Sequence, residues 1–217
     1  SAFSNDRESG STSTTVDRSL VDDSVSLAQR DVGRLRDRRS GLHATGRLQW
    51  RGEQGIDTVT LMPLLIHGRG TTLRDGTLTQ SVGAQPVPYD TSRTAGDGSF
   101  TLLRLNGQWN HRLDAGGRVE WKFGAGQGRS LTHSLRDEFT AGALSRTLDD
   151  RGDTLDRNAL VAGKFIRTLA GDHSLVAGAE GEANRRRETR NTNDPTLLAN
   201  FGDNVAASTT RFAAYGQ

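Results

Sequence analysis

The chain contains no cysteine, which excludes disulfides and thiolate metal sites and leaves the redox compartment open. It has almost no lysine: only Lys122 and Lys164 occur, so 26 of its 28 basic residues are arginines. It has no apolar run near the ~18 residues of a membrane-spanning helix, which excludes a helical membrane protein. Hydrophobic residues make up 33% of the 217, and mean hydropathy is -0.62, so a conventional dry core would be hard to fill. No secretory signal stands at Ser1–Thr14, which is polar and lacks an apolar centre, so a signal is expected to have been removed or to lie upstream. A one-sided basic patch is missing too. Acids and bases alternate in "DVGRLRDRRS" (31–40) and "RTLDDRGDTLDR" (146–157), and the formal net charge is +2, which argues against nucleic acid as a partner. Such a composition borders on that of disordered chains.

What is present argues against disorder: a strict two-residue alternation. In 41–51, Leu42, Ala44, Gly46, Leu48 and Trp50 alternate with His43, Thr45, Arg47, Gln49 and Arg51. After a break at 52–57, Val59, Leu61, Pro63 and Leu65 resume against Thr58 and Thr60. In 100–126, Thr101, Leu103, Leu105, Gly107 and Trp109 oppose Leu102, Arg104, Asn106, Gln108 and Asn110. Past the turn "RLDAGG" (112–117), Val119, Trp121, Phe123 and Ala125 oppose Arg118, Glu120 and Lys122. A third hairpin starts near Ala159 with Val161, Gly163 and Phe165, turns at "LAGDH" (169–173), and continues with Leu175, Ala177, Ala179, Gly181 and Ala183 against Glu180, Glu182, Asn184 and Arg186. A last strand runs from Thr210 to the chain end. Period two fits better than 3.6 in these arms, while Ser134–Leu148 is ambiguous between helix and strand. Residues 1–40, rich in Ser, Thr, Asp and Arg, read as a loop-rich lead-in with a weak strand near Ser24–Arg30.

The links between strands alternate in length. Those at 51–58, 112–117 and 169–173 are short, and those at 68–98, 127–157 and 188–209 are long. Transmembrane β-barrels have this pattern, with tight periplasmic turns and long extracellular loops. The three tryptophans, Trp50, Trp109 and Trp121, flank the first two short turns, as an aromatic girdle at the periplasmic interface would. A strand between lipid and a watery lumen is apolar outward and free to be polar inward, and lipid leaves only closed sets of strands viable. The fold expected is all-β: an antiparallel transmembrane β-barrel wall, partial, with about seven or eight strands of a larger barrel of about 22. The run "RFAAYGQ" (211–217) ends within an alternating stretch, which suggests a segment of a longer wall. Residues 1–217 are thus read as one partial barrel domain, hairpins from 41 onward.

Other motifs carry little. "GAGQG" (124–128) would need glycine at 129 for a dinucleotide loop but has Arg129, so these are read as strand glycines that let the wall curve. "RGD" (151–153) lies in an Arg- and Asp-rich stretch where chance produces it. The histidines at 43, 67, 111, 133 and 173 have no two-ligand spacing, so no metal site is expected. Glu180 and Glu182 share a face, but a catalytic set needs a positioned histidine or serine, and His173 and Ser174 lie at the turn end. No catalytic residue and no cofactor are therefore expected.

The stretches "SGLHATGRLQWR" (40–51), "DTVTLMPLL" (57–65), "HSLVAGAEGEANRRRETR" (173–190) and "RFAAYGQ" (211–217) resemble the middle segment of the barrel of a TonB-dependent outer-membrane receptor. The resemblance covers most of 20–217 and includes neither plug domain nor energy-coupling box. It implies a Gram-negative outer-membrane location and energy-coupled uptake of a scarce ligand such as an iron–siderophore complex. The partners implied are outer-membrane lipid and, through the plug, the TonB complex. On this reading Arg47, Gln49, Arg104, Asn106, Gln108, Arg118, Glu120, Lys122, Glu180, Glu182 and Arg186 face the lumen as a balanced hydrated lining. His67, Arg69, Tyr89, His133, Arg136 and Arg190 are the extracellular-loop ligand candidates, arginine suiting anionic chelates through paired hydrogen bonds. Two alternatives remain: a small outer-membrane barrel acting as anchor or adhesin, and a barrel hydrolase.

Overall fold

The structure, a computed structural model, describes residues 1–19, 24–169, 173–195 and 204–216. It is a single antiparallel sheet. The strands are β1 (Ala2–Arg18), β2 (Val25–Thr45), β3 (Leu48–Arg51), β4 (Asp57–Gly83), β5 (Thr91–Leu113), β6 (Gly117–Thr140), β7 (Ala143–Thr168), β8 (Ser174–Thr192) and β9 (Asn204–Gly216). Their order is β1-β2-β4-β5-β6-β7-β8-β9, and the short β3 also pairs with β4, continuing the line of β2. Eight strand positions result, each paired with its sequence neighbour as short-range hairpins dictate. The break between β2 and β3 has a local cause. Gly46 donates to the Pro63 carbonyl (3.1 Å), but proline has no N–H to return on that side.

Two differences from the sequence expectation stand out. Residues 1–40 are not a loop-rich lead-in: they form β1 and most of β2, paired from Ala2↔Leu42 upward. The long excursions are present, but they consist chiefly of strand. β4 continues to Gly83 and β5 starts at Thr91; β6 continues to Thr140 and β7 starts at Ala143; β8 continues to Thr192. The ambiguous Ser134–Leu148 is a hairpin with a two-residue turn, Ala141 (φ 52°) and Gly142 (φ 80°), both in the left-handed region such turns require. The strained Ala141 is held by its own N–H, which donates to Asp90 Oδ2 (2.6 Å). At the other end, Glu53–Gly55 and Asp114–Gly116 are single 3₁₀ turns closed by Gly55 (φ 69°) and Gly116 (φ 79°). The turn at 169–173 lies partly outside the described residues.

Cα partners across an antiparallel ladder share a face. Trp50, Val59, Trp109, Trp121, Gly163, Ala179 and Ala214 therefore form one row across the sheet. The next rows outward are Leu48, Leu61, Gly107, Phe123, Val161, Gly181, Phe212 and then Pro63, Leu105, Ala125, Ala159, Ala183. This tryptophan face is an apolar band with sharp limits. Polar residues bound it at Asp57 and His67 on β4, Thr101 and His111 on β5, and Arg157 and Arg167 on β7, ten residues apart each time. Ten residues span about 34 Å along a strand. Aromatic rings on the band lie over glycines of the neighbouring strand: Phe123 over Gly107, Trp121 over Gly163 and Phe212 over Gly181, pairings that cover the weak strand glycines.

No hydrophobic side chain is buried among the described residues. Leu48 is 64% exposed, Leu105 42% and Phe212 84%. The expected apolar face thus exists as a continuous surface that none of the described residues covers.

Candidate ligand-facing wall

The opposite face carries the charge. One row reads Gln49, Thr60, Gln108, Lys122, Ala162, Glu180, and its neighbour Met62, Asn106, Gly124, Leu160, Glu182. Arg104 is in line with Asn158 and Asn184, Asp156 with Arg186, and Arg118 and Glu120 lie at the turn end. The expected lumen residues in strands therefore share this face, and Arg47, at the β2–β3 break, stands beside Leu48 of the other. They are internally balanced: Arg118 meets Glu120 (3.0 Å), Arg186 meets Glu188 (3.2 Å), and Asn184 donates to Glu182 (2.7 Å). The sequence reading missed an apolar strip here. In "LMPLLI" (61–66) both parities are apolar, so Met62, Leu64 and Ile66, with Leu102 paired to Ile66, interrupt the polar lining.

The six loop candidates separate when strand parity is followed upward. His67, Arg69 and His133 are in β4 and β6, on the tryptophan face. They stand in strands rather than in loops, on the side of the apolar band. His67 Nδ1 is 2.9 Å from Thr101 Oγ1, Arg69 donates to Ser40 Oγ (3.3 Å), and His133 bridges Asp97 (3.2 Å) and Asp149 (3.1 Å). Arg136 and Arg190 are also in strands, but on the opposite face; only Tyr89 lies in a connection.

Arg136 and Arg190 lie toward the far end of the opposite face, on β6 and β8, and Tyr89 meets Arg136. The Arg136 guanidinium lies 4.8 Å above the Tyr89 ring, within cation–π range. Glu138, 6% exposed, approaches Arg136 Nε to 3.0 Å, yet the buried Nε–H has no hydrogen-bond partner: the contact is an off-axis ion pair that leaves a donor open. Arg190 grips Asp150 with two hydrogen bonds (2.8 and 2.7 Å), and Arg74 holds Asp31 (2.8 Å). Arg190 and Arg74 are thus committed to carboxylates, while Arg136 keeps one donor without a hydrogen-bond partner beside Glu138.

No protein-family model matches the chain, and no curated protein matches it. Among solved structures it is similar to the ferric yersiniabactin uptake receptor FyuA from Yersinia pestis (8% identity, 99% of this chain, 40% of that chain, TM-score 0.36). It is also similar to the ferric citrate transporter FecA (9% identity, 99% of this chain, 40% of that chain, TM-score 0.32). The chain spans about 40% of either neighbour, and at these scores the likeness fixes neither family nor function.

Proposed function

We propose that the chain is part of the wall of an outer-membrane β-barrel that takes up a scarce ligand, with the tryptophan face toward lipid and the opposite face toward an enclosed, hydrated lumen. The observation that carries this reading is the apolar band: ten residues between its polar limits, about 34 Å along the strands, continuous from β3 to β8, bounded by a tryptophan row and uncovered by any of the described residues; at the roughly 40° tilt of barrel strands it would stand about 26 Å tall. Lipid is the medium that matches its height. The eight strand positions do not close, since β1 and β9 each have one neighbour, and a barrel of about 22 strands would supply partners for both. This favours a receptor-sized barrel over a small one. The strip of Met62, Leu64 and Ile66 suits contact with a plug inside the barrel, through which the TonB complex would deliver energy.

The ligand class we infer is an anionic iron chelate, an iron–siderophore complex, met at the outer end by Arg136 over Tyr89. The test is binding of ferric tris-catecholate and ferric carboxylate chelates to the protein in bilayers. Arg136→Ala is expected to weaken one of them about tenfold or more, the scale of a lost charged hydrogen bond, while His67→Ala on the other face leaves it unchanged. Equal loss from both variants, or from neither, refutes the assignment.

A further inference from the structure

We infer that His133 is a proton-operated staple, which ties β5, β6 and β7 together above the apolar band when its ring is charged and releases them when the ring is neutral. In the register Asp97↔His133↔Arg151 the histidine stands on β6 between an acid on β5 and a base on β7. Its Nδ1 lies 3.2 Å from Asp97 Oδ1 and its Nε2 3.1 Å from Asp149 Oδ1, so each ring nitrogen faces a carboxylate oxygen on a different neighbouring strand. Ionised carboxylates only accept, and a neutral imidazole has a single N–H. The neutral ring therefore serves one acid and turns a lone pair on the other. The charged ring donates to both, through hydrogen bonds strengthened by charge on each side.

The other charges on this face leave the position to the proton. Asp149, Arg151 and Asp153 flank the ring from β7, Asp97 from β5, and Arg129 and Asp137 stand on β6 itself. Arg129 takes Asp153 with two hydrogen bonds (3.1 and 2.7 Å), Arg151 takes Asp149 (3.2 and 3.1 Å), and Asp137 accepts from Thr147 Oγ1 (2.7 Å). Arg69, one strand farther on β4, donates to Ser40. Asp97 has no arginine within ion-pair distance among the described residues, so a charged His133 is the cation it meets. Asp149 carries the tie one strand farther. Its N–H donates to Asn193 Oδ1 (2.9 Å) and its carbonyl accepts from the Asn193 N–H (3.1 Å), immediately after β8. Asp97 lies four residues, about 14 Å along β5, beyond the polar limit Thr101, so the ring meets the bulk solution whether or not lipid covers the band. Histidine changes charge between about pH 5 and 8, and a group whose charged form the fold favours adds stability at the acid end of that range and loses it as pH rises.

The test is amide hydrogen exchange of the protein in bilayers at about pH 5.5 and about pH 8.5, each rate divided by the intrinsic rate at that pH, read on the ladder amides flanking His133 and Arg151. In the wild type, opening is expected to be about five- to twentyfold more frequent at the higher pH, the scale of one or two half-exposed ion pairs. H133Q is expected to abolish the difference, since glutamine hydrogen-bonds but does not titrate. D97N is expected to shrink it severalfold, because an amide can donate to the neutral ring's lone pair. H67Q is the control: His67 meets the Thr101 hydroxyl, which either donates or accepts, so its loss should leave the response intact. In the unsubstituted chain at the lower pH, both ring N–H protons of His133 are expected in the proton spectrum, protected by Asp97 and Asp149. A ring with only one protected proton, or none, overturns the staple without need of a variant. Equal opening at the two pH values in the wild type also overturns it, as does a response that survives H133Q or vanishes in H67Q.

Discussion

Replacing Leu105 with arginine asks the central question of this sheet in one substitution. Leu105 lies midway between the polar limits Thr101 and His111, on the tryptophan face, and is 42% exposed with no covering layer. If that face met water, the change would be a surface substitution, worth within about 0.5 kcal/mol. If it meets hydrocarbon, an arginine at the midplane costs about 2–4 kcal/mol, which is roughly a 30- to 1,000-fold fall in the folded-to-unfolded ratio. The cost must also depend on depth. Thr101→Arg, at the edge of the band, is expected to cost about 0–1 kcal/mol, and Leu103→Arg an intermediate amount. Asn106→Arg, adjacent in sequence but on the opposite face, is expected to fall within about 0.5 kcal/mol of the wild type. Urea titration of the protein in bilayers, followed by tryptophan emission, measures all four. A dry protein core on that face would penalise Leu105→Arg as well, but it would not grade the penalty along one strand by distance from the tryptophan row. A flat profile, or an Asn106→Arg cost equal to that of Leu105→Arg, refutes the assignment of the two faces.

The glycines make a second contrast. A methyl group at Gly41 would sit 2.6 Å from the His67 carbonyl oxygen and 2.8 Å from the Phe3 ring, so Gly41→Ala should cost about 1–3 kcal/mol. At Gly107 the obstruction is the far end of the Phe123 ring, which can swing away from the sheet, so Gly107→Ala should cost under about 1 kcal/mol; urea midpoints in the reverse order would refute this. For Arg190 and Asp150, side chains 29% and 33% exposed, a double-mutant cycle to alanine should show a coupling of about 1 kcal/mol at low salt, reduced in about 1 M salt. Zero coupling at low salt would mean that the two-pronged pair does not hold β7 and β8 together.

The lower half of the sheet was legible because parity there records two different surroundings. On β4, Val59, Leu61, Pro63 and Leu65 alternate with threonines and then with Met62 and Leu64, and the pattern stops at His67. The strand does not stop. It runs on for sixteen residues, Gly68–Gly83, with Arg69, Thr71 and Asp75 on one face and Gly70, Thr72 and Arg74 on the other. Once both faces meet water the alternation vanishes, and a strand becomes indistinguishable in composition from a solvated loop. β1 was missed for this reason, and the 140–143 turn for another: it uses Ala-Gly where Asn-Gly or Asp-Gly would have been the signal.

The two faces of the upper sheet were nonetheless implicit in the lower half. The β4–β5 register runs from Asp57↔His111 to Thr77↔Thr91 without a shift, so parity is conserved from the apolar band into the extension. Counting on by twos from Leu65 gives His67 and then Arg69 on the tryptophan face, and counting from Val119 gives His133. Arg136, by the same count from Glu120, falls on the opposite face. What the count could not supply was the reason the extension stays a sheet. The structure places an acid within reach of a base across neighbouring strands, Arg38 to Asp6, Arg93 to Asp75, Arg129 to Asp153, Arg190 to Asp150, so the charges that made this region read as a solvated loop are the ones that fix its register.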